Sequence, residues 1–412
     1  MKYVLVIGDG MADFPVEELS GKTPLQVAKK PVIDRLAGQG LVGEVRTVPR
    51  GVPAGSDTAI LNIFGYDPRL VYTGRSPLEA AGSGVKMEKG NISFRCNLAA
   101  ITEDGDEYEG QTMLSHSGGA IDGQDAMQLM NDLIAEPSFA ALLEKHGMSF
   151  TVNPSYRHIA VLKTGSDKVG TTPPHDILTR PIAQYLPKGE GDKMLREIMS
   201  ASWRILKKHP INNERRAAGK MPANSLWFWG AGTKPSLQNF TEKTGLKGAM
   251  VSAVDLLKGI AVGAGMKAYQ VPGATGSIDA NFEGKAQAAI DALTKDDCDF
   301  VYVHVEAPDE MGHQGLLKEK IQSIEYLDRR LIAPVKKAME DAGEDFRMLV
   351  LPDHPTPIRL RTHTGDPVPY VLYDSTRQRK SIRKYTEAEA EAAGNFEPNG
   401  YRLIERLLSK PV

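Results

Sequence analysis

The sequence predicts an α/β fold in which a largely parallel β-sheet is flanked by helices. Three apolar, β-branched runs support this prediction, at residues 2–7, 299–305 and 348–351. Continuous runs of this kind are typical of strands that are buried on both faces of a parallel sheet. The chain has 412 residues, which is long enough for two or three domains and a sizeable buried core.

The amino-acid composition bears on the partners and the cellular compartment to expect. The chain is 41% hydrophobic and 25% charged, and its formal net charge is −2. This balance gives no reason to expect nucleic acid or a membrane surface as a partner. Cys96 and Cys298 each lie in an apolar run, so we expect them to be buried, free and in a reducing compartment. The chain starts directly in a strand, and no apolar run reaches membrane-spanning length, so we expect a cytoplasmic protein.

Two polar clusters follow the later predicted strands, at residues 304–313 and 353–363. Open α/β sheets place their sites at the carboxyl ends of parallel strands. Asp309 and His313 are four residues apart, so one helical turn would bring both side chains to the same point. Mixed carboxylate and imidazole ligation suits Mn, Zn, Co or Mg rather than a thiolate-bound metal. Two surface loops with scattered polar residues are the alternative. The candidate ligands are Asp309, His313, Asp353, His354 and His363.

Two earlier residues are also candidates for a site. Asp9 follows the first strand between two glycines, which allow a sharp turn and the close approach of a ligand. Ser56 stands at the predicted start of a helix, after Gly55, which permits an unusual backbone conformation. Free N–H groups and the positive end of the helix dipole favour a phosphate on this serine, or the alkoxide that attacks one. Alternatively, Asp9 forms a turn and Ser56 caps the helix.

The order of these seven residues resembles the alkaline phosphatase superfamily. More narrowly, the chain resembles the archaeal-type cofactor-independent (2,3-bisphosphoglycerate-independent) phosphoglycerate mutases, which also occur in bacteria. The resemblance covers nearly the whole chain. It rests on these specific strings: Gly21-Lys-Thr-Pro-Leu, Pro53-Ala-Gly-Ser-Asp-Thr-Ala, Gly65-Tyr-Asp-Pro, Tyr72-Thr-Gly-Arg-Ser-Pro-Leu-Glu-Ala-Ala, Pro272-Gly-Ala-Thr-Gly and Asn281-Phe-Glu-Gly-Lys.

The resemblance implies an alkaline-phosphatase-like core with a two-metal site for phosphoryl transfer. Manganese is the expected metal, with zinc, cobalt or magnesium as alternatives, and no 2,3-bisphosphoglycerate is required. A metal bound to the Ser56 oxygen would lower its pKa and make it a nucleophile near neutral pH, while a second metal holds the phosphoryl oxygens. The implied ligands are Asp9, Ser56, Asp353 and His354 for one metal, and Asp309, His313 and His363 for the other.

A change in sequence pattern after Val85 predicts an inserted α+β cap over residues 87–182, with 1–86 and 183–412 forming the metal-binding core. Polar and apolar residues alternate over 91–101, which indicates a half-exposed strand. An amphipathic helix is predicted over 122–135. The resemblance implies that this cap binds the substrate.

Three cap residues are candidates for contact with the substrate. His116 is the candidate for proton transfer to and from glycerate hydroxyls, because imidazole is the commonest general acid and base. Arg157 is the candidate for fork-like binding of a carboxylate or phosphate. His158 is a second substrate-binding candidate. The alternatives are a loop histidine and a surface arginine.

Three functions remain open at this point. The first is a mutase that interconverts 3-phosphoglycerate and 2-phosphoglycerate through a phosphoserine. The second is a phosphotransferase or phosphohydrolase of the same superfamily that acts on another small substrate. Pro308, Pro355 and Pro357 depart from the archaeal pattern and suggest a bacterial branch, of which some members have been proposed to phosphorylate homoserine. The third is a non-catalytic metal-binding protein, which would not need a serine nucleophile.

Overall fold

The computed structural model describes residues 1–121 and 123–409. No helix among them is long and apolar enough to cross a membrane. The strands are Lys2–Gly8 (β1), Leu41–Val45 (β2), Ile92–Ile101 (β3), Met113–Ser115 (β4), Met148–Thr151 (β5), Arg157–Leu162 (β6), Val169–Gly170 (β7), Lys188–Gly189 (β8), Ser225–Thr233 (β9), Gly248–Val251 (β10), Lys267–Tyr269 (β11), Phe300–Val305 (β12), Phe346–Leu351 (β13), Val368–Asp374 (β14) and Phe396–Glu397 (β15).

The helices alternate with these strands along much of the chain. A π-helical segment, Leu327–Ile332, joins two of them. The α-helices are Pro24–Val27 (α1), Pro31–Gln39 (α2), Ser56–Ile63 (α3), Pro68–Val71 (α4), Arg75–Gly82 (α5), Gly123–Ala135 (α6), Pro137–His146 (α7), Asp192–Leu206 (α8), Pro210–Ala217 (α9), Phe240–Thr244 (α10), Asp255–Gly263 (α11), Phe282–Thr294 (α12), Ala307–Gln314 (α13), Leu317–Tyr326 (α14), Ala333–Asp341 (α15), Glu387–Ala392 (α16) and Leu403–Leu408 (α17).

The chain divides into two compact units. The first consists of Met1–Tyr72 and Ser236–Val412, and the second is Thr73–Pro235. The predicted cap, residues 87–182, lies within the second unit, which extends further on both sides. The reason for the C-terminal extension is strand pairing, because β9 forms an antiparallel ladder with β3 and α8 packs on β9.

The first unit contains the predicted, largely parallel sheet. Its strand order is β11-β10-β12-β1-β13-β14-β2-β15, and β11, β10, β12, β1 and β13 are parallel to one another. β14 is antiparallel to both of its neighbours. All six residues of β12 and of β13 are buried, as their continuous apolar runs predict. Helices α2, α12, α14 and α15 cover one face of the sheet, and α3, α11 and α17 pack on the other. The predicted fold class is confirmed.

The second unit is an α+β structure around an antiparallel sheet. β3 is its central strand, with β6 and β9 paired along it. The strand predicted over 91–101 is present, but it is buried along its whole length instead of half-exposed. One face packs against α6, α7 and α8, and α5 covers the other. Arg95 on the polar face is buried because its guanidinium pairs with Glu79 at 2.8 Å and lies 4.0 Å from the centre of the Trp229 ring.

Two further predictions concern one helix and the two cysteines. The helix predicted over 122–135 is present as α6, and Asp122, where the prediction begins, lies outside the described residues. Cys96 and Cys298 are free and buried, as expected from their apolar surroundings. Burial raises the pKa of both thiols, most strongly that of Cys96, so neither is an activated nucleophile.

Candidate active site

The parallel register of the central strands gathers the candidate residues at one edge of the sheet. Ile7 of β1 is in register with His304 of β12 on one side and with Leu351 of β13 on the other. The residues just beyond these strand ends therefore lie side by side. Asp9 and Asp353 follow within two residues of their strands, and Asp309 lies in the first turn of α13 after β12.

Gly10 makes the close approach possible. Its φ of +60° lies in the left-handed region, and a Cβ there would meet Thr356 Oγ1 at 2.5 Å and Asp309 Oδ1 at 2.7 Å. The glycine beside Asp9 thus allows the turn, as predicted, and leaves room for two other site residues. Gly55 differs from the prediction. Its φ of 178° is ordinary extended backbone. A side chain is disfavoured there because a Cβ would meet Asp57 Oδ1 at 2.9 Å.

Ser56 is the first residue of α3, as its position before an apolar run predicts. Gly55 occupies the N-cap position, so Ser56 is the first residue within the helix and not its N-cap. The serine hydroxyl instead faces the strand ends. Ser56 Oγ lies 3.2 Å from His354 Nε2 and 3.4 Å from Asp9 Oδ2. A hydroxyl at a helix N-terminus between a carboxylate and an imidazole is well placed for nucleophilic attack.

A second group of side chains surrounds Asp309. His313 Nε2 lies 3.2 Å from Asp309 Oδ2, and His363 Nε2 lies 3.4 Å from Asp309 Oδ1. The Nδ1 atoms of the two rings face backbone carbonyl oxygens, that of His313 at 3.0 Å from Arg361 O and that of His363 at 3.4 Å from Ala54 O. A ring that donates its Nδ1–H to a carbonyl presents a lone pair at Nε2, which is the arrangement typical of histidine ligands to metals.

Asp9 and Asp353 form a pair of buried carboxylates beside these two groups. Asp353 Oδ1 accepts hydrogen bonds from the N–H groups of Gly10, at 3.2 Å, and of His354, at 2.9 Å. Asp9 Oδ2 lies 3.0 Å from Nε2 of His304, which is fully buried. The other oxygens, Asp9 Oδ1 and Asp353 Oδ2, are buried and have no hydrogen-bond partner among the described residues. His354 Nε2 lies 3.7 Å and 3.3 Å from these two oxygens, respectively.

These side chains fit divalent cations. Buried polar atoms are almost always satisfied, and unpaired carboxylate oxygens in a protein interior are costly unless a cation binds them. Asp309, His313 and His363 bring ligand atoms within 4.8 Å of one another, and so do Asp9, Asp309 and His354. Asp9, His304 and Asp353 form a third such set. Oxygen and imidazole nitrogen donors without thiolate suit Mn, Zn, Co or Mg.

The pKa shifts follow from burial and from the crowding of charge. Burial and the neighbouring Asp353 raise the pKa of Asp9 well above its usual value. Burial opposes ionisation of Asp309 as well, but its hydrogen bonds with His313 and His363 outweigh that effect and lower its pKa. The same contact with Asp309 raises the pKa of His313 to about 9. Burial lowers the pKa of His304 to about 3, so this ring is neutral at physiological pH.

The second unit brings His116 and Arg157 into one cluster. The His116 ring lies 5.7 Å from that of Tyr156 and 6.2 Å from that of His175. The Arg157 guanidinium lies 5.0 Å above the Tyr156 ring. Partial burial, His175 and Arg157 lower the pKa of His116. The neutral imidazole of His116 could accept and return a proton, and the exposed guanidinium of Arg157 could bind an anion, which are the roles predicted for these two residues.

His158 does not share that face. Successive side chains of a strand point to opposite sides, and His158 is in register with Cys96 on the core side of β3, whereas Arg157 is opposite Asn97. His158 is only 1% exposed, and its Nδ1 accepts the backbone N–H of Asn153 at 3.2 Å. Burial lowers its pKa to about 4. The structure therefore places His158 as a buried residue that holds the turn before Arg157, and strand alternation argues against the two side chains sharing one ligand.

Sequence reasoning gave no role to two residues of the first unit that contact the candidate ligands, although one of them, His304, begins the first polar cluster. His304 lies within β12, where an imidazole in an otherwise apolar strand was the available signal. Thr356 Oγ1 donates a hydrogen bond to Asp309 Oδ1 and lies 3.3 Å from His354 Nδ1. Its position between Pro355 and Pro357 was noted only as a departure from a pattern.

The fold and this edge of the sheet define an α/β protein with a candidate metal site at the carboxyl ends of its parallel strands. Comparison with known proteins gives the particular group, because the model of a family described as 2,3-bisphosphoglycerate-independent phosphoglycerate mutase matches residues 37–212. A Geobacter sulfurreducens protein named as a probable 2,3-bisphosphoglycerate-independent phosphoglycerate mutase is 44% identical over 411 residues, which is 100% of both chains. The chain therefore belongs to the 2,3-bisphosphoglycerate-independent phosphoglycerate mutase family.

Two solved structures share this fold over nearly the whole chain. A Pyrococcus horikoshii protein is 30% identical with a TM-score of 0.80, and the match covers 100% of this chain and 98% of the other. A cofactor-independent phosphoglycerate mutase from Thermoplasma acidophilum is 27% identical with a TM-score of 0.66, over 99% of both chains.

Proposed function

We propose that this protein interconverts 3-phosphoglycerate and 2-phosphoglycerate through a phosphorylated Ser56, without 2,3-bisphosphoglycerate, as a cytoplasmic enzyme. The observation that carries the proposal is the position of Ser56 Oγ, 3.2 Å from His354 Nε2 and 3.4 Å from Asp9 Oδ2 at the start of α3. Membership of the mutase family supports the choice of substrate.

Two divalent cations, with manganese as the expected metal, would be held by two sets of residues. When bound, they would lower the pKa of the serine hydroxyl and neutralise the phosphoryl oxygens during in-line transfer. The buried, unpartnered oxygens of Asp9 and Asp353 support the first set. The facing Nε2 atoms around Asp309 support the second. The sets are Asp9, Ser56, Asp353 and His354, and Asp309, His313 and His363.

The chain's own residues would carry the reaction in two transfers. Ser56 Oγ, whose own proton would pass to solvent when the cations bind, would form a bond to phosphorus as the bond between phosphorus and the glycerate oxygen breaks. Neutral His116 would take the proton of the free glycerate hydroxyl and pass it to the oxygen that has left phosphorus, which leaves the ring neutral again. The deprotonated glycerate oxygen would then attack phosphorus and displace Ser56 Oγ. Arg157 would hold the glycerate carboxylate meanwhile, so that the same molecule recovers the phosphoryl group.

Two of the three prolines that suggested a homoserine-phosphorylating branch have local structural roles. Pro308 lies in the first turn of α13, where a missing N–H costs no helical hydrogen bond. Pro355 forms bridges with Met11 and Ala12 beside the first strand. These two departures from the archaeal pattern therefore have local structural explanations and do not by themselves indicate a different acceptor.

The test is to mix the protein with 3-phosphoglycerate and Mn²⁺, without 2,3-bisphosphoglycerate, and to quench in acid. We expect formation of 2-phosphoglycerate and a phosphate on the peptide that contains Ser56. Ser56→Ala should abolish both while the far-ultraviolet circular dichroism stays unchanged, because this side chain makes no helix cap. Ser138→Ala, at an exposed serine in the first turn of α7, is the matched control and should keep activity.

Two results would overturn the proposal. One is full activity in Ser56→Ala. The other is transfer of phosphate from ATP to homoserine by a protein that does not convert phosphoglycerate.

A further inference from the structure

Thr356 touches a candidate ligand from each of the two cation sets. Its hydroxyl donates to Asp309 Oδ1, and the same oxygen lies 3.3 Å from His354 Nδ1. A hydroxyl has one hydrogen to donate and lone pairs that accept. With its hydrogen on Asp309, Thr356 Oγ1 can accept the Nδ1–H of His354. That arrangement leaves the His354 Nε2 lone pair facing Ser56, and it leaves Asp309 Oδ2 facing His313.

The protein holds Thr356 rigidly at this point. The residue is fully buried, and its N–H donates to Ala12 O at 3.3 Å while its carbonyl accepts Lys320 Nζ at 2.8 Å. The prolines at 355 and 357 fix the backbone on both sides, because a pyrrolidine ring restricts φ. Entropy lost on ordering this hydroxyl is therefore small compared with that of a side chain on a mobile loop.

Two glycines make room for the threonine. A Cβ at Gly10 would approach Thr356 Oγ1 at 2.5 Å, and a Cβ at Gly312 would lie 2.6 Å from Thr356 O and 2.9 Å from its Cγ2. Gly312 lies in α13 between Asp309 and His313. The helix that carries two ligands of one set, Asp309 and His313, is thus packed directly against the residue that also contacts the other set.

We propose that Thr356 is a positioning residue that couples the two cation sites, so that ordering of one ligand set by a cation orders the other. This inference rests on the proposed two-cation function. Oriented hydrogen bonds from a second layer of residues commonly contribute about 10–100-fold to metal affinity. Thr356 differs from an ordinary residue of that kind because a single hydroxyl serves His354 in one set and Asp309 in the other.

The experiment is a titration of the metal-free full-length protein with Mn²⁺ alone at constant pH. Isothermal calorimetry and the electron paramagnetic resonance signal of free Mn²⁺ would measure the number of bound ions and their affinities. Thr356→Val keeps the shape and removes only the hydroxyl. We expect two sites in the wild type, and affinity about 10–100-fold weaker at both sites in this variant. Thr356→Ser restores the hydroxyl and should recover most of the affinity.

Thr47→Val is the matched control. Thr47 is equally buried, and its hydroxyl has no hydrogen-bond partner among the described residues. The Thr47→Val protein should bind Mn²⁺ with the same affinity as the wild type. A Thr356→Val protein that fails to fold would be recognised by circular dichroism, and Thr356→Ser compared with Thr356→Ala then tests the same hydroxyl.

The outcomes separate the two proposals. If the wild type binds no Mn²⁺, the proposed two-cation function is wrong. If the wild type binds two ions and Thr356→Val binds both unchanged, or weakens only one site, the coupling role of Thr356 is wrong while the proposed function stands.

Discussion

The Nε2 atoms of His313 and His363 lie 2.9 Å apart. Each ring has its Nδ1 atom facing a backbone carbonyl, so two neutral imidazoles would direct lone pairs at each other across this distance. Lone pairs that face each other repel unless a proton or a metal ion lies between them. The Asp309 carboxylate adds further lone pairs at the same point, with Oδ2 3.2 Å from His313 Nε2 and Oδ1 3.4 Å from His363 Nε2. The arrangement suits a positive charge at the centre of the three side chains.

Metal addition should stabilise the protein. A bound cation offsets the free-energy cost of the buried, unpaired carboxylates and of the facing imidazole lone pairs. Binding to the native state alone raises the free energy of unfolding by about 2.7 kcal/mol at a ligand concentration one hundred times Kd. We expect the melting temperature of metal-free protein to rise on addition of Mn²⁺ and to fall again with a chelator. His363→Ala should reduce the stoichiometry from two ions to one. An unchanged melting temperature across a wide range of Mn²⁺ concentration would contradict the two-cation site.

Metal binding should strengthen as the pH rises towards 9. Contact with Asp309 raises the pKa of His313 to about 9, so the metal-free protein carries a proton there at neutral pH. A cation must displace that proton, and apparent affinity therefore increases until the pH passes about 9. Calorimetry in buffers of different ionisation enthalpy would measure the released proton. In His313→Gln the slope of affinity against pH should become shallower.

The same shift fixes the pH dependence of stability in the metal-free protein. A histidine whose pKa is higher in the folded state than the unfolded value of about 6.5 stabilises the fold fully below that value. Its contribution is lost as the pH rises through about 9. Denaturant unfolding of metal-free protein should therefore show a decline between these limits that is absent in His313→Gln. Equal declines in the two proteins would contradict this account.

Sequence patterns predicted those features that depend on local chemistry. Apolar β-branched runs predicted β1, β12 and β13, and register then placed Asp9 and Asp353 at one edge. The exposure of β3 was misjudged because alternation of polar and apolar residues does not reveal that Arg95 finds Glu79 and Trp229. Such pairing depends on tertiary contacts between residues far apart in sequence.

The missed site residues have the same cause. Thr356 contacts Asp309, which lies 47 residues earlier in the sequence, as well as its near neighbour His354. His304 contacts Asp9, which lies 295 residues earlier. A threonine and a strand histidine have ordinary structural explanations when they are seen alone. The candidate metal ligands were easier to find, because Asp and His at strand ends are unusual and the resemblance covered them.

His116 and Arg157 should affect catalysis differently. His116→Gln removes a titratable ring, so we expect kcat to fall by about 10²–10⁴-fold, the range typical of a lost general acid or base. Arg157→Lys keeps the charge but loses fork-like binding, so we expect mainly a higher KM. Steady-state kinetics with 3-phosphoglycerate would separate the two effects. If His116→Gln kept full kcat, proton transfer would have to be assigned to another residue.

Lys320 makes buried contacts with two loops that carry candidate metal ligands. Its side chain is fully buried, and Nζ lies 2.8 Å from Asp13 Oδ2 and 2.8 Å from Thr356 O. Asp13 Oδ2 also accepts the backbone N–H of Ile358 at 3.1 Å. Lys320, in α14, thus contacts the loop after β1 through Asp13 and the loop after β13 through Thr356, and these loops carry Asp9 and Asp353.

Lys320→Met should lower the free energy of unfolding of the metal-free protein by about 3–5 kcal/mol, because it leaves the Asp13 carboxylate buried without its partner. Lys320→Met combined with Asp13→Asn removes the unpaired charge and should recover part of the loss. Lys337→Met is the control, since its ion pair with Asp341 is well exposed and should contribute little. Urea unfolding of the four proteins measures the difference. A Lys320→Met protein as stable as the wild type would show that the buried pair contributes no net stability.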